Sequence, residues 1–367
     1  MFKAAEGSVF VGGDFSQQEV RILASCCNDT HMLDNYKNNR DIYATVASKV
    51  YNNKYEDNRE FFPDGTLNPE GKKRRSFCKS IVLGVMYQRG AASVAEQIGQ
   101  SYEEAQKIIN QFFEGFPKIK EWVNKTIKDA HKTGYVEDPW GRRRHLPDIL
   151  LPKFKINKIG ESTNDQTEFN PLLGSEGKFT MFDDPTISQF RARAEKARNS
   201  RELETVKTAA RNAAVEIHDN GGFIAQAERQ AVNARIQGGA ATLTKIAMIK
   251  IHQDEQLKNL GFKMLLAVHD ELIGECPKEN SEEVAKRLEE LMIDAGNPVI
   301  SCPMKCDCAI TNRWYEDEIS AGLREERDKL LLHCTPDEVL HEFVSRYPYI
   351  EEQQLRQLIF EDKDFDF

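Results

Sequence analysis

Apolar strand-like runs, far apart in the chain, that lead directly into acids constrain this fold most tightly. Val9-Phe10-Val11 leads into Gly12-Gly13-Asp14, and the runs 264–268 and 272–276 flank His269-Asp270-Glu271. Short apolar runs bounded by turn formers read as buried strands. A carboxylate at a strand end stands at the rim of a sheet, where it can hold a cation. An Asp after Gly-Gly is equally an ordinary turn, so Asp14 alone leaves both readings open. The second stretch says more, because two-residue hairpin turns favour Asn-Gly or Asp-Gly. Three ionisable residues between very apolar strands cannot be buried unpaired, so they must meet solvent or a cation. Two aspartates on neighbouring strands can bridge divalent ions roughly 3.5–4 Å apart. Oxygen ligands of this kind suit Mg²⁺, with Mn²⁺ as a substitute.

Most of the intervening sequence has helical periodicity. Val20, Leu23, Ala24 and Cys27 share a helix face, and a second helix runs from Asp41 past Val50. Residues 54–71 read as a loop before a long basic helix from about Lys72 to Tyr87. Its Arg75, Lys79, Leu83 and Tyr87 recur every fourth residue and form one stripe about 18 Å long. Cations lie at one end and apolar or aromatic groups at the other. That polarity fits a nucleoside triphosphate, with phosphates on Arg75 and Lys79; a surface amphipathic helix fits equally well.

Ser101-Tyr102-Glu103-Glu104 is a capping box. Another helix follows at about 117–132, then a small hairpin around Trp140-Gly141. Residues 152–222 start loop-like and become a charged helix from about Ile187 to Ala214, an insertion packed outside the main body. A long helix spans Glu228 to Leu257, and a further one runs from about Ser281 to Ala295. Cys302, Met304, Cys306, Cys308 and Ile310 alternate with Pro303, Lys305, Asp307 and Ala309. With no CxxC partner, that period of two reads as a half-buried strand and not as a zinc site. Thr335-Pro336-Asp337-Glu338 opens a helix in the tail.

The 40% hydrophobic and 30% charged content describes a globular chain. Its apolar runs are too short to span a membrane, and its first residues lack a signal-peptide core, so a cytoplasmic setting is expected. A net charge of −9 does not exclude nucleic acid, because a local basic cleft decides that. Basic clusters stand at Lys72-Lys73-Arg74-Arg75 and Arg142-Arg143-Arg144-His145, while part of the acidic excess lies in Glu361 to Asp366.

Taken together, the motifs resemble those of family A DNA polymerases, the group of bacterial DNA polymerase I and many phage replicases. Asp14-Phe15-Ser16-Gln17-Gln18-Glu19-Val20-Arg21 resembles motif A, Arg75-x3-Lys79-x3-Leu83-Gly84-x2-Tyr87 motif B, and Val268-His269-Asp270-Glu271 motif C. Glu228-Arg229-x3-Asn233-x3-Gln237-Gly238 and Gly141-Arg142-Arg143-Arg144-x-Leu146-Pro147-Asp148 match two further stretches, in family order.

The resemblance implies an α+β fold with a polymerase palm (1–34 and 223–316, with a hairpin at about 263–277). It also implies helical fingers (35–151, with the motif B helix at about 72–88), an insertion (152–222) and a helical tail (317–367). It implies DNA polymerase activity on primer-template DNA with dNTPs and two Mg²⁺ ions. Asp14, Asp270 and the Phe15 carbonyl would be metal ligands, and Glu271 and His269 would assist at the primer end. Glu19 would exclude a ribose 2′-hydroxyl. Arg75, Lys79, Leu83, Tyr87, Gln17 and Tyr43 would bind the nucleotide, with Lys79 able to protonate pyrophosphate. Arg229, Asn233 and Gln237 would read the minor groove.

Leu83, Tyr43 and Gln88 depart from the family's usual aromatic residue, His and Gly. Thumb and exonuclease sequences are not recognised, so a separately encoded chain is expected to carry them, as in a split, phage-type polymerase of a host cytoplasm. Two alternatives stand: a non-catalytic DNA-binding or assembly fragment, and a single-subunit RNA polymerase, against which Glu19 argues. In the tail, Leu355, Leu358, Ile359 and Phe360 fit either a docked amphipathic helix or a sliding-clamp peptide.

Overall fold

The computed structural model describes residues 2–159, 185–314 and 323–360, apart from a few isolated positions. The middle of the insertion and the acidic run Glu361 to Asp366 lie outside the described residues.

The chain opens with β1 (Ser8–Phe15), then α1 (Gln18–Cys27), α2 (Thr30–Lys37) and α3 (Ile42–Val50). The sequence reading misses α2, whose polar run is started by Asp29 accepting from the Met32 N–H. The basic helix α4 (Pro69–Met86) begins earlier than expected, because Asn68 caps it and proline suits its first turn. Next come α5 (Ala91–Ile98) and α6 (Tyr102–Gly115), where both bonds of the Ser101–Glu104 capping box form, and then α7 (Pro117–Thr133). The hairpin of β2 (Tyr135–Glu137) and β3 (Arg143–His145) follows.

The described parts of the insertion hold more regular structure than its sequence suggests. They comprise β4 (Phe154–Lys158), α8 (Pro185–Lys196), α9 (Ser200–Asn212) and β5 (Val215–Asp219). The expected loop-like start is a strand, and the expected single helix is two, because Asn199 caps the second. Then come α10 (Gly221–Gln253) and α11 (Glu255–Asn259), separated where Asp254 accepts from the Leu257 N–H and starts a new helix. The chain continues with β6 (Lys263–Val268), β7 (Glu271–Pro277), α12 (Ser281–Asp294) and β8 (Cys306–Thr311). It ends with α13 (Pro336–Arg346) and α14 (Glu352–Phe360). No described helix is long and apolar enough to cross a membrane.

Two compact units are formed. One comprises Met1–Ser16, Leu243–Gly296 and Met304–Phe367, the other Gln17–Thr242 and Asn297–Pro303. The first is built on an antiparallel sheet of order β6-β7-β1-β8. Its alternation is set by β1, where Gly13 faces α12 and Gly12 faces the Glu271 side chain on the opposite surface. On α12, Val284, Leu288 and Met292 are buried. The edge strand β6 departs from expectation: its apolar residues are largely uncovered, with Leu265 50% exposed.

The tail adds a core of its own, in which Val339, Leu340, Phe343, Leu355 and Ile359 are buried together. Two of the residues considered as a sliding-clamp peptide, Leu355 and Ile359, are thus already spent on internal packing.

In the second unit α3, α4 and α6 pack on one another. A separate cluster joins α7, the β2–β3 hairpin and α10 through Ala130, Val136, Leu146 and Ala231. The insertion closes over Phe154, Ile156, Phe190, Val206, Val215 and Ile217.

Candidate active site

In the first unit, the strand register gathers the acids. Asp14 lies opposite Glu271 on β7 and opposite Asp307 on β8. The Phe15 N–H donates to the Asp270 carbonyl at 3.3 Å, which ties the β6–β7 hairpin to the end of β1. The residue Asp14 retains exposed surface, yet its carboxyl is pushed up from 3.8 to about 6. Partial burial is the largest cause, followed by the charges of Asp270, Glu271 and Asp307.

The hairpin turn itself is strained. His269, its first loop residue, has φ of 55°, a left-handed conformation that costs a non-glycine residue on the order of 1 kcal/mol. Asp307 was not singled out from sequence. In sequence it is one polar member of an alternating strand, and only pairing with β1 sets it opposite Asp14.

Oxygen-only donors and a crowd of like charges suit a hard divalent cation. Among the described residues, no three His, Cys, Asp or Glu side chains form a group that could hold a metal ion by themselves.

The second unit carries the cationic stripe. Arg75 Nε donates to Asp41 Oδ2 at 2.6 Å, and its guanidinium lies 3.7 Å from Glu60. Asp41 is held in turn by accepting the Tyr43 and Ala44 N–H groups as the cap of α3. Arg75 also stands over the Tyr43 ring at 5.4 Å. Tyr43 is only 3% exposed, and burial drives its hydroxyl pKa upward. Lys79, further along α4, is exposed, and Leu83 is half-buried.

At the end of α4 the Tyr87 hydroxyl donates to the Glu19 carboxylate and also bonds the Gln237 side chain. Its pKa is pushed up to about 12, by burial first and then by Glu19. The next residue, Gln88, has φ of 54°, which explains why glycine suits this position. Gln17 also has positive φ, and its Oε1 accepts from the Tyr36 hydroxyl at 3.0 Å. On α10, Arg229, Asn233 and Gln237 recur every fourth residue. The Asn233 Oδ1 is buried with no hydrogen-bond partner among the described residues, an acceptor waiting for a donor.

Each unit therefore gathers its own set. The first brings together Asp14, Phe15, His269, Asp270 and Glu271 and adds Asp307. The second joins Glu19, Tyr87 and Gln237 in one network and Arg75 with Tyr43. Lys79 and Leu83 stand elsewhere on α4, and Arg229 and Asn233 elsewhere on α10.

This α+β chain, with its acids at the end of a small antiparallel sheet, has the fold of a polymerase domain. It is similar to the POL domain of Pol1 from M. smegmatis, solved in complex with DNA primer-template and dNTP. The TM-score is 0.58 at 23% identity, over 85% of this chain and 41% of that one. The chain belongs to DNA polymerase family A, whose family model matches residues 1–165 and 182–316.

Among curated relatives, it is 29% identical over 313 residues to the thermostable DNA polymerase I of Thermus aquaticus, covering 85% of this chain and 28% of that protein. It is 28% identical over 315 residues to DNA polymerase I of Borreliella burgdorferi, covering 86% of this chain and 26% of that protein. The chain thus spans little more than a quarter of the length of these relatives.

Proposed function

We propose that this chain carries the nucleotidyl-transfer site of a DNA-templated DNA polymerase, which joins a dNTP to a primer 3′-hydroxyl and releases pyrophosphate. The observation that carries this reading is the acid cluster: Asp14 beside Asp270, Glu271 and Asp307, with a proton affinity raised first by partial burial and then by the neighbouring charges. In this reading Asp14, Asp270 and the Phe15 carbonyl hold two Mg²⁺ ions, with Mn²⁺ as an alternative. Bound there, the ions would acidify the attacking hydroxyl and neutralise charge on the phosphates. Glu271 and His269 steady the primer end.

Arg75 and Lys79 bind the triphosphate electrostatically, and Lys79 can supply a proton to the leaving group. For Arg75 this means exchanging its carboxylate partners, Asp41 and Glu60, for phosphate. Tyr87 holds Glu19 in the position that excludes a 2′-hydroxyl, with Leu83, Tyr43 and Gln17 lining the nucleotide. Arg229, Asn233 and Gln237 face the duplex, where the unmatched Asn233 Oδ1 can accept from a guanine amino group. A thumb and a 3′–5′ exonuclease, expected on a separate chain, would complete the working enzyme. Occupation of the tail by a sliding clamp is the weaker idea, given the burial of Leu355 and Ile359.

Primer extension with the full chain tests this proposal. Asp14→Asn and Asp270→Asn should abolish incorporation while sparing duplex binding; near-normal extension by either would overturn the assignment. Preference for NTPs over dNTPs would instead favour an RNA polymerase, and duplex binding without extension a non-catalytic fragment. Greater processivity on addition of a thumb-and-exonuclease chain would support the two-chain arrangement.

A further inference from the structure

The cysteine strand, which reads from sequence as purely structural, is faced by a third sulfur. Cys306 and Cys308 lie on β8, and their side chains turn toward the sheet surface that α12 covers. Met292 Sδ on α12 is 3.5 Å from Cys306 Sγ, and the two thiols hydrogen-bond to each other. A Cβ placed on Gly13 would meet Met292 Sδ at 2.6 Å, Cys306 Sγ at 3.2 Å and Cys308 Sγ at 3.3 Å. The three nearest atoms are all sulfur, and they converge on Gly13, the β1 glycine that faces α12.

We propose that Cys306, Cys308 and Met292 form a trigonal site for a thiophilic monovalent cation, Cu(I), on the face of β1 opposite Asp14. Two thiolates and a thioether are the soft donors that select Cu(I), whereas Mg²⁺ prefers the oxygens around Asp14. Structural Zn²⁺ almost always takes four ligands, and among the described residues Cys306 and Cys308 are joined by no further His, Cys, Asp or Glu in a metal-holding group. Metal–sulfur bonds of roughly 2.3 Å require the sulfurs to open slightly from their present contact. The flexible methionine side chain supplies that movement.

Binding releases two thiol protons to solvent and moves no electrons, leaving a net charge of minus one on the occupied trio. A disulfide is the poorer alternative. Residues two apart on an extended strand have Cα atoms about 6.6 Å apart, near the far limit of disulfide geometry.

The test is anaerobic Cu(I) titration of the full chain against a chromophoric Cu(I) chelator, comparing wild type with Cys308→Ser and Met292→Leu. Met292→Leu conserves volume and keeps the fold, so it decides the matter if Cys308→Ser does not fold. The expected result is one Cu(I) equivalent lost in Cys308→Ser and an affinity at least about tenfold weaker in Met292→Leu. Alkylation mapping by mass spectrometry should show Cu(I) protecting Cys308 in wild type and protecting it less in Met292→Leu. Equal stoichiometry and affinity in all folded proteins, or protection confined to other cysteines, overturns the proposal.

Discussion

Replacing Asp14 by Asn should make the metal-free protein more stable at neutral pH while removing its proposed chemistry. The Asp14 carboxyl titrates at about 6 in the folded chain, against 3.8 ordinarily. The folded state therefore holds this proton more tightly than the unfolded state. Stability from this group is full below about pH 4, declines as the pH rises toward 6, and stays low above that. A shift of about two units would correspond to ~3 kcal/mol for a fully buried group. Asp14 is partly solvated, so screening reduces the expected gain to about 1 kcal/mol.

Urea unfolding in EDTA, with hydrogen exchange across β1 and β8 as the local readout, should show Asp14→Asn ahead of wild type at pH 7.5. The two proteins should converge near pH 4. Mg²⁺ should then stabilise wild type but not the variant. A variant no more stable than wild type at pH 7.5 would refute the electrostatic reasoning. An unchanged Mg²⁺ response would refute Asp14 as a ligand.

Other predictions follow from single contacts. Tyr87→Phe removes the hydroxyl that donates to Glu19; it should lower dNTP-over-NTP selectivity by about tenfold, measured as a ratio of incorporation rates. Ala214, at φ 54° after α9, should accept glycine with a gain of up to about 1 kcal/mol, read from thermal unfolding of the insertion. Phe343→Ala empties a fully buried site in the tail core and should cost about 3–5 kcal/mol there, so that limited proteolysis cuts first within the tail.

The helices were legible wherever a cap and a period coincided: Ser101 with Glu104, Thr335 with Glu338, and Asp41 before α3 all start helices as their chemistry dictates. The polar α2 was missed because its apolar positions are few and its Asp29 cap resembles a turn. Strands β4 and β5 were missed because their partners are distant in sequence, so neither short alternation identified the other. Exposure of β6 could not be read from its composition, since apolar character does not determine which side of a strand is covered. Within the acid cluster, Asp14, Asp270 and Glu271 announced themselves by position. Asp307 emerged only once register set it opposite Asp14. The unmatched acceptor on Asn233 likewise depends on what surrounds it in three dimensions.

The pairing of β4 with β5 has a consequence for how such a chain changes over time. Phe154 lies opposite Asp219, and Asn220 donates from its backbone to Lys153 and from its side chain to Pro152, each at 2.8 Å. The polypeptide thus departs and returns through one doorway, with its two threads about 4.8 Å apart. The described residues beyond that doorway close over a core of their own, with Ile156, Phe190, Val206 and Val215 buried together, so genetic material there can be exchanged while its host keeps the same anchor points. Such a cassette can acquire a new task without first disturbing an old one.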